Sequence, residues 1–390
     1  MPFIDAGGLS VHYELSGPPG GEVVLFSNSL GTNLHAWDAQ VAALQDRYRV
    51  LRYDTRGHGM TEATSPPYTM ETLGRDALAL LDALKIEKAH VCGLSIGGMV
   101  AQRLATLAPE RVRSLILCDT GNKIGPPTLW EDRIAAVKSQ GLAALAEGGM
   151  QRWFTAGYLK DHPAEVRGYM AMMSRNSTEG YIGCCAALRD ADLAEQNRQI
   201  ECPTLVIVGD QDVATSPALA KALADGIEGA RLEIVSPAAH IASIEAADQM
   251  NRVILDFLAE QQSADLYERG LATRRAVLGD AHVERATRNA TDLDRDFQAF
   301  ITRQAWGEVW TGKGLDRRTR SIVTIALLAG LGHHDEVKLH IRATRNTGAT
   351  LEDVKEALMH VAIYAGVPAA NTAFKLAKET YLEMEKEGSS

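Results

Sequence analysis

The stretch His90-Val91-Cys92-Gly93-Leu94-Ser95-Ile96-Gly97-Gly98 decides the fold prediction. Its centre follows the pattern Gly-X-Ser-X-Gly, between an apolar strand at residues 90–92 and a helical stretch at residues 98–107. Small residues must flank such a serine because the chain turns sharply from strand to helix and lifts the hydroxyl out of the sheet. The stretch therefore predicts that Ser95 is a nucleophile at the end of a strand.

The chain around this turn has the alternating strand and helix pattern of an α/β protein. Helical stretches alternate with short β-rich apolar runs at residues 23–26, 48–53, 90–92, 114–118 and 205–208. This alternation predicts a mainly parallel sheet that helices cover on both faces. The strand rhythm stops between residues 118 and 205, where apolar and charged residues recur at helical spacing. We therefore expect a helical insertion at about residues 125–200.

The pattern changes again near residue 260. A last amphipathic helix is expected to end at Leu258, and the polar segment at residues 259–264 is expected to be a linker. Residues 266–386 show helical patterns without strands, interrupted by glycine-rich turns. The sequence therefore predicts an α/β domain at residues 1–262 and an all-α domain at residues 265–390.

Composition excludes several classes of protein. The 390 residues carry a net charge of −10, and from residue 265 onward 18 Lys and Arg balance 18 Asp and Glu, so the acid excess lies in the first part. This argues against a nucleic-acid partner. No apolar run is long enough to span a membrane. The first residues lack the features of a secretory signal, and the five cysteines suggest reduced thiols, so we expect a cytoplasmic location.

Partners for the serine follow in the order serine, acid, histidine. Asp212 comes just after the strand at residues 205–208, with Asp210 as the alternative acid, and His240 follows a further strand at residues 232–235. We expect Ser95 to attack the substrate, His240 to accept and return the proton, and Asp212 to orient the imidazole. The oxyanion would be stabilised by two backbone N–H groups, that of Ile96 and that of Leu30 in the loop after the first predicted strand.

These features identify residues 1–262 as a member of the α/β-hydrolase family. The segment Ser27-Asn28-Ser29-Leu30-Gly31-Thr32, with Trp37-Asp38, further resembles the 3-oxoadipate enol-lactone hydrolases, which open a lactone ring by acyl transfer to water. The resemblance implies that the helical insertion is a cap over the substrate. It also makes Trp153 a candidate for lining the pocket, although this side chain could equally pack the cap onto the main domain.

The second half resembles 4-carboxymuconolactone decarboxylase over nearly its whole length. The resemblance is carried by Arg274-Arg275-Ala276-Val277-Leu278-Gly279-Asp280, Ala305-Trp306-Gly307-Glu308-Val309-Trp310, Leu315-Asp316-Arg317-Arg318-Thr319-Arg320 and Tyr364-Ala365-Gly366-Val367-Pro368. Some members of the wider family use a Cys-X-X-Cys pair. No cysteine follows Cys202 in this chain, which excludes thiol chemistry from the second domain.

Glu336 and His340 are the candidate catalytic pair of that domain. They lie at positions i and i+4, hence on one helix face, where a carboxylate and an imidazole can relay a proton. Loss of CO2 from a carboxymuconolactone leaves a dienolate that needs a proton, so we expect His340 to donate it and Glu336 to orient His340. Arg274 or Arg318 would anchor the substrate carboxylate. His282, His333 and His334 are the rival proton donors.

No metal and no cofactor are expected. His333, His334, Glu336 and His340 lack the His-Glu-X-X-His spacing of a zinc site, and the unsaturated lactone can itself accept the electrons.

The two resemblances concern consecutive steps of protocatechuate breakdown, since the decarboxylase forms the enol-lactone that the hydrolase opens. The sequence therefore predicts a bifunctional enzyme acting on small lactones, with self-association through the C-terminal domain. The alternatives are a serine esterase with a single activity whose helical domain serves oligomerisation, or one whose helical domain docks another protein. 

Overall fold

The computed structural model describes residues 2–388. The chain forms two compact units, Met1–Leu258 and Ala259–Ser390, which are called the N-terminal unit and the C-terminal unit below. Within the described residues, no helix is both long and apolar enough to cross a membrane.

A twisted sheet organises the N-terminal unit. Over the described residues it has eight strands in the order β1-β2-β4-β3-β5-β6-β7-β8. β1 and β2 are antiparallel to their neighbours, and the strands from β4 through β8 pair in parallel. The strands are β1 Phe3–Asp5, β2 Ser10–Ser16, β3 Val23–Ser27, β4 Arg49–Tyr53, β5 Ala89–Leu94, β6 Val112–Cys118, β7 Thr204–Gly209 and β8 Arg231–Val235.

The predicted α/β-hydrolase fold with a mainly parallel sheet is confirmed. The central strands β3, β5 and β7 are buried along their whole length, which explains why they read as continuous apolar runs. β1 and β2 were missed by the sequence analysis. β1 lies at the edge of the sheet and β2 lies next to it, and the partial exposure of both strands replaces the continuous apolar signal with a mixed one.

Helices flank the sheet and fill the insertion between β6 and β7. The first three are α1 Asp38–Leu44, α2 Met70–Ala83 and α3 Ile96–Leu107, and the insertion contains α4 Pro127–Gln140, α5 Leu142–Trp153, α6 Ala156–Asp161, α7 Pro163–Ser174, α8 Thr178–Asp190 and α9 Ala194–Asn197. They are followed by α10 Pro217–Asp225, α11 Ala242–Glu245 and α12 Ala247–Leu278. The insertion is called the cap below.

The turn at Ser95 is as sharp as the sequence pattern requires. Ser95 has φ 59° and ψ −119°, a backbone conformation that residues with a side chain rarely adopt. A Cβ on Gly93 would lie 2.1 Å from the carbonyl oxygen of Gly97, and one on Gly97 would lie 2.2 Å from that of Ser27. Only hydrogen atoms fit at these two positions, so the two glycines allow the strand, the turn and α3 to approach each other.

The helix that was expected to end at Leu258 continues to Leu278 as α12. The segment at residues 259–264, expected as a linker, is therefore helical. Its sequence, Ala-Glu-Gln-Gln-Ser-Ala, contains good helix formers and neither glycine nor proline, so nothing in it terminates a helix. Polar composition alone was an insufficient signal for an interruption.

The C-terminal unit is helical throughout its regular structure, as predicted. After the last part of α12 it contains α13 Asp280–Arg288, α14 Arg295–Ile301, a π-helix at Thr302–Val309, α15 Arg317–Leu331, α16 His334–Thr347, α17 Leu351–Tyr364 and α18 Val367–Gly388. Helices α15 to α18 enclose an apolar core that includes Ile325, Val337, Ile341 and Leu358. Helices α15 and α16 end at glycines with φ 77° and 80°, which satisfy the left-handed geometry of a helix C-terminus.

We expect Gly93→Ala to lower the free energy of unfolding of the N-terminal unit by about 2–3 kcal/mol, because its Cβ would collide with backbone rather than with a side chain that can move. Gly168→Ala is the matched control. Gly168 lies on the exposed face of α7 with no atom within 4 Å of the added Cβ, so alanine there should raise the free energy by about 0.5–1 kcal/mol. Urea unfolding of both variants measures the difference. Equal stabilities would contradict the account of the turn.

Candidate active site

The structure brings Ser95, His240 and Asp212 together at the carboxyl ends of the parallel strands. Ser95 immediately precedes α3, Asp212 follows β7, and His240 follows β8. The Ser95 Oγ lies 3.0 Å from the Nε2 atom of His240, and the Nδ1 atom of His240 lies 2.9 Å from the Oδ2 atom of Asp212. All three residues are buried. This is the geometry in which an imidazole can remove the serine proton while a carboxylate holds the ring.

The Asp212 carboxylate is held in its charged form. Its Oδ2 atom also accepts a hydrogen bond from the Thr215 hydroxyl at 2.6 Å, and its Oδ1 atom accepts from the backbone N–H groups of Ala214 and Thr215 at 2.7 and 2.9 Å. Burial by itself would raise the pKa of Asp212, but the charge of His240 and these hydrogen bonds outweigh it and lower the pKa to about 2.

Asp210, the alternative acid, has a different place. Its Oδ2 atom accepts a hydrogen bond from the Ser236 hydroxyl at 2.7 Å, and its Oδ1 atom accepts from the Ala238 N–H at 3.0 Å. Asp210 thus supports the loop that leads to His240, whereas Asp212 bonds to the imidazole itself.

The loop after β3, which carries Leu30, is fixed by a side chain. Asn28 is buried, donates a hydrogen bond to the Tyr53 carbonyl at 2.7 Å and accepts one from the Trp37 indole at 3.0 Å. Leu30 and Ser95 line the same cavity. Ile96 is the first residue of α3, so its N–H has no partner within the helix and can bind an oxyanion. The geometry is consistent with the expected pair of N–H donors.

A cavity of about 340 Å³ opens above the serine. The cap contributes Trp130 and Trp153 to its wall, beside Ser95 and His240. Trp153 is only 6% exposed and also belongs to the main apolar core. The two interpretations of Trp153 are therefore compatible, since this side chain both lines the pocket and packs the cap onto the main domain.

Two arginines of the cap, Arg133 on α4 and Arg152 on α5, also line this cavity, and the sequence analysis missed them. Among the described residues, no carboxylate forms an ion pair with either one. Arg133 lies over the Trp130 ring at 5.1 Å, and burial together with the charge of Arg133 lowers the pKa of Arg152. Two cations without a counter-charge beside a nucleophile favour an anionic substrate. Because arginines on helices are usually solvated, the sequence pattern singled out neither residue. The only signal was that Arg152 stands next to Trp153, which was already a candidate for lining the pocket.

Asp119 is a second residue that sequence reasoning missed. It follows β6, has φ 44°, and is completely buried. Its Oδ1 atom accepts a hydrogen bond from Gly209 N–H at 2.9 Å, and the backbone of Ala242 bonds to the same carboxyl group. Burial and the nearby Asp212 carboxylate raise the pKa of Asp119 well above its usual value. Asp119 thus ties together the segments that precede Asp212 and follow His240.

His340 is the centre of the candidate site in the C-terminal unit. It is only 8% exposed, and its ring lies nearly parallel to the indole rings of Trp306 and Trp310, with centroids 6.3 and 6.0 Å away. Its Nδ1 atom is buried without a hydrogen-bond partner in the described part of the chain. A buried ring nitrogen without a partner is costly unless a ligand or water supplies one.

The pKa of His340 departs from the ordinary value of an imidazole. Burial lowers its pKa to about 4; the Glu336 carboxylate opposes this shift and His282 adds to it. The imidazole is therefore neutral at pH 7. Glu336 is exposed, and among the described hydrogen bonds none joins it to His340. It acts on the imidazole through its charge rather than by orienting it with a bond.

The structure separates the two candidate anchoring arginines. Arg274 is buried, and its guanidinium donates to Thr302 and Gln298, at 3.3 and 3.2 Å, both of which are neutral. Arg318 instead forms an ion pair with Asp353 through two hydrogen bonds of 2.8 and 2.5 Å. The positive charge of Arg274 is thus available to a substrate, whereas that of Arg318 is already neutralised. The structure speaks against Arg318 as an anchor.

The rival histidines differ in how far they are buried. His282 is partly buried, and burial lowers its pKa together with the charges of Arg274 and Arg285. His333 and His334 are exposed at the start of α16. Across residues 2–388, no group of three or more His, Cys, Asp or Glu side chains is arranged to hold a metal ion.

The fold and the first site define a class of protein. A parallel sheet with a cap, a serine on a strand-to-helix turn and a bonded Ser-His-Asp triad belong to a serine-dependent α/β hydrolase. Residues 22–247 match the α/β-hydrolase fold family, and residues 295–379 match the carboxymuconolactone decarboxylase family. The chain belongs to the first family in its N-terminal part and to the second in its C-terminal part, so the predicted fusion is confirmed.

Individual relatives agree with this division. The N-terminal part is 40% identical over 246 residues to 3-oxoadipate enol-lactonase 2 of Acinetobacter baylyi, which is 63% of this chain and 92% of that protein. The crystal structure of the enol-lactonase from Burkholderia xenovorans LB400 superimposes with a TM-score of 0.65 at 41% identity, covering 66% of this chain and all of that one. The C-terminal part is 48% identical over 118 residues to 4-carboxymuconolactone decarboxylase of Acinetobacter baylyi, which is 30% of this chain and 88% of that protein.

We expect Asp212→Asn to lower the turnover of ester or lactone hydrolysis about 10⁴-fold, because an amide favours the wrong imidazole tautomer. Asp210→Asn is the matched control, since it makes the same chemical change in a residue whose side chain bonds to the neighbouring loop rather than to His240. Steady-state turnover of both variants checks the assignment. Greater damage from Asp210→Asn would show that the acid was assigned wrongly.

The buried, neutral His340 should make the stability of the C-terminal unit depend on pH. Unfolding exposes an imidazole with a pKa of 6.5 that the folded unit holds at about 4, so the unfolded state binds the extra proton first. The free energy of unfolding should therefore fall by up to about 3 kcal/mol as pH drops from 6.5 to 4. Denaturant melts between pH 4 and pH 8 should show this loss in the wild type and in the exposed control His333→Gln, but not in His340→Gln. An equal loss in all three would contradict the account.

Proposed function

We propose that this chain is a bifunctional enzyme of the 3-oxoadipate pathway. The C-terminal unit decarboxylates 4-carboxymuconolactone to the enol-lactone, and the N-terminal unit hydrolyses that lactone to 3-oxoadipate. The observation that carries the proposal is the pairing itself, since the relatives of the two parts are an enol-lactonase and a carboxymuconolactone decarboxylase. We assign the lactonase to residues 1–262, with the cap at about 125–200, and the decarboxylase to residues 265–390.

Lactone opening follows from the bonded triad. The Ser95 Oγ attacks the lactone carbonyl while the Nε2 atom of His240 takes its proton. The N–H groups of Leu30 and Ile96 stabilise the resulting oxyanion. The ring C–O bond then breaks and releases an enolate, which takes the proton held by His240 and becomes the ketone. A water molecule then gives a proton to the neutral His240 and attacks the acyl-enzyme, and His240 returns that proton to the Ser95 Oγ as the ester bond breaks. The product is released with Ser95 regenerated.

The cap arginines supply the specificity of this reaction. The enol-lactone carries a carboxylate on its side chain, and Arg133 and Arg152 place two positive charges in the wall of the cavity that contains Ser95. A guanidinium binds a carboxylate through two parallel hydrogen bonds. A neutral lactone of the same size would leave these partly buried charges without an anionic partner and would bind more weakly.

Decarboxylation in the C-terminal unit depends on the positive charge of Arg274 and on the protonation of His340. Arg274 binds a substrate carboxylate, and the indole rings of Trp306 and Trp310 exclude water from the region next to His340. His340 is neutral before substrate binds. Negative charge on the bound lactone raises the pKa of the imidazole, so His340 gains a proton with the substrate and delivers it to the dienolate after CO2 leaves. Glu336 favours the protonated form by its charge.

The alternative of a single esterase activity with a helical docking domain is less well supported. A docking module has no need of a buried arginine without a counter-charge, nor of a buried histidine with an unpaired nitrogen beside two tryptophans. Both features cost stability, and both are explained by a site that binds an anion.

We also propose that the chain self-associates through its C-terminal unit. Apolar side chains are exposed at i, i+4 and i+8 on α15, where Leu327 is 59% and Leu331 is 69% exposed beside Val323. The neighbouring α17 exposes Ile363 and Tyr364. Several exposed apolar side chains on two neighbouring helices support a protein interface.

A cytoplasmic location is proposed on separate grounds. The cysteines Cys92, Cys118, Cys184, Cys185 and Cys202 are free thiols, which is typical of a reducing compartment.

Two substitutions should separate the proposed activities. Ser95→Ala should abolish lactone opening and leave CO2 release intact, so that enol-lactone accumulates. His340→Ala should lower CO2 release by about 10²–10⁴-fold while supplied enol-lactone is still hydrolysed. Measuring both reactions with each variant tests the proposal. Loss of both activities in either single variant, with the protein folded, would contradict the separation, and so would wild-type hydrolysis by Ser95→Ala.

Leu327→Lys tests the proposed self-association, because a charge on the exposed stripe cannot be buried in an apolar interface without large cost. The wild type should sediment as an oligomer and the variant as a smaller species at the same concentration. Leu293→Lys, at a loop residue that is 94% exposed, is the control and should sediment like the wild type. A monomeric wild type, or an unchanged Leu327→Lys variant, would refute the proposed interface.

A further inference from the structure

Both neighbours of His240 are bonded to groups outside the triad. The N–H of Ala239 donates to the Oε2 atom of Glu245 at 3.0 Å, and the N–H of Ile241 donates to the carbonyl oxygen of Trp153 at 3.0 Å. Trp153 belongs to the cap and lines the substrate cavity. The peptide segment that carries the catalytic imidazole is thus held from both sides, on one side directly by the cap.

Glu245, which accepts from Ala239, is itself bonded to the cap. Both of its carboxylate oxygens lie 3.2 Å from the N–H of Thr155, and its Oε1 atom accepts a short hydrogen bond from the Thr155 hydroxyl. Thr155 is the N-cap residue of α6, and its hydroxyl oxygen accepts from the N–H of Tyr158. One carboxylate therefore joins the cap at Thr155 to the histidine loop at Ala239.

We propose that Glu245 is a positioning residue that couples the cap segment at residues 153–155 to the orientation of His240. Substrate that contacts Trp153 fixes the cap segment, and through Glu245 and the Trp153 carbonyl the segment fixes the histidine loop. The Nε2 atom of His240, 3.0 Å from the Ser95 Oγ in the structure, then stays in position to accept the serine proton. Displacements of about 1 Å at such a contact can cost about 10²-fold in rate.

This coupling makes a distinctive kinetic prediction. A cap residue that only binds substrate should change KM, because its loss weakens ground-state and transition-state binding equally. A cap residue coupled to His240 should change kcat, because the misplaced imidazole slows proton transfer after the substrate has bound. Thr155 has no contact with Ser95, His240 or Asp212 among the described hydrogen bonds, so a kcat effect at Thr155 must be transmitted.

The test compares four variants of the full chain. Thr155→Val keeps the volume and the backbone N–H but removes the hydroxyl, and Thr155→Ser keeps the hydroxyl. Glu245→Ala removes the bridge, and Glu228→Ala removes an exposed carboxylate elsewhere in the same unit. We expect kcat for lactone opening to fall about 10–100-fold in Glu245→Ala and about 3–10-fold in Thr155→Val, with KM within about twofold of the wild type. Thr155→Ser and Glu228→Ala should retain wild-type kcat.

The lactone measurement rests on the proposed function, so a second readout is independent of it. The rate at which a fluorophosphonate labels Ser95 reports serine activation by His240 with any substrate class. It should fall in parallel with kcat in Glu245→Ala and Thr155→Val, while the final labelled fraction stays complete. A wild type that is labelled but does not open the lactone would overturn the proposed function and leave the labelling test of the coupling in force.

Three results would overturn the coupling. The first is a raised KM with unchanged kcat in Thr155→Val, which would make Thr155 a binding residue only. The second is an unchanged labelling rate in both bridge variants. The third is an incomplete labelled fraction that accounts for the whole loss of kcat, which would mean that Glu245 and Thr155 support folding alone. If Glu245→Ala does not fold, the comparison of Thr155→Val with Thr155→Ser decides the question.

Discussion

The close approach of backbone at the Ser95 turn is the constraint on which the first site depends. Gly93 and Gly97 leave no room for a Cβ, and Ser95 itself adopts a positive φ, so the hydroxyl is held above the end of β5. Strain of this kind persists only where the surrounding structure determines it. Here the Ser95 N–H donates to the Cys118 carbonyl at the end of β6, and the Thr120 hydroxyl donates to the Ser95 carbonyl. Parallel strands then bring Asp212 and His240 to the same edge, since their carboxyl ends coincide.

The two candidate sites differ in the charge of their buried titratable groups. Asp212 is surrounded by N–H and hydroxyl donors and by His240, so it stays charged although it is buried. His340 lies beside two indole rings and has an unpaired nitrogen, so burial keeps it neutral. The first arrangement suits a permanent orienting charge in acyl transfer. The second suits a group whose protonation depends on the charge of the substrate, because a bound anion can reverse the effect of burial.

Each proposed activity is built from residues of its own unit. The triad, the oxyanion donors and the cap arginines all lie before residue 259, and Arg274, Trp306, Trp310, Glu336 and His340 all lie after it. The chemistry connects the two sets, because the lactone that one site would release is the lactone that the other would open. Cations without counter-charges in both sites, Arg133 and Arg152 in one and Arg274 in the other, fit substrates that carry carboxylates.

The sequence by itself determined the fold class, and it predicted Ser95 as the nucleophile and the chain order of the triad, because a strand-to-helix turn and continuous apolar strands leave local signals in composition and spacing. The sequence also placed Glu336 and His340 on one face of a helix. It did not reveal the strands β1 and β2, the continuation of α12 through residues 259–264, or the cap arginines, since partial burial and ordinary helix formers have no distinctive local pattern. The choice between Asp212 and Asp210, the neutral state of His340 and the pairing of Arg318 with Asp353 were decided only by tertiary structure. Each depends on which groups lie within a few ångströms across distant parts of the chain, and burial and charge at that range set the pKa and the partner of a side chain.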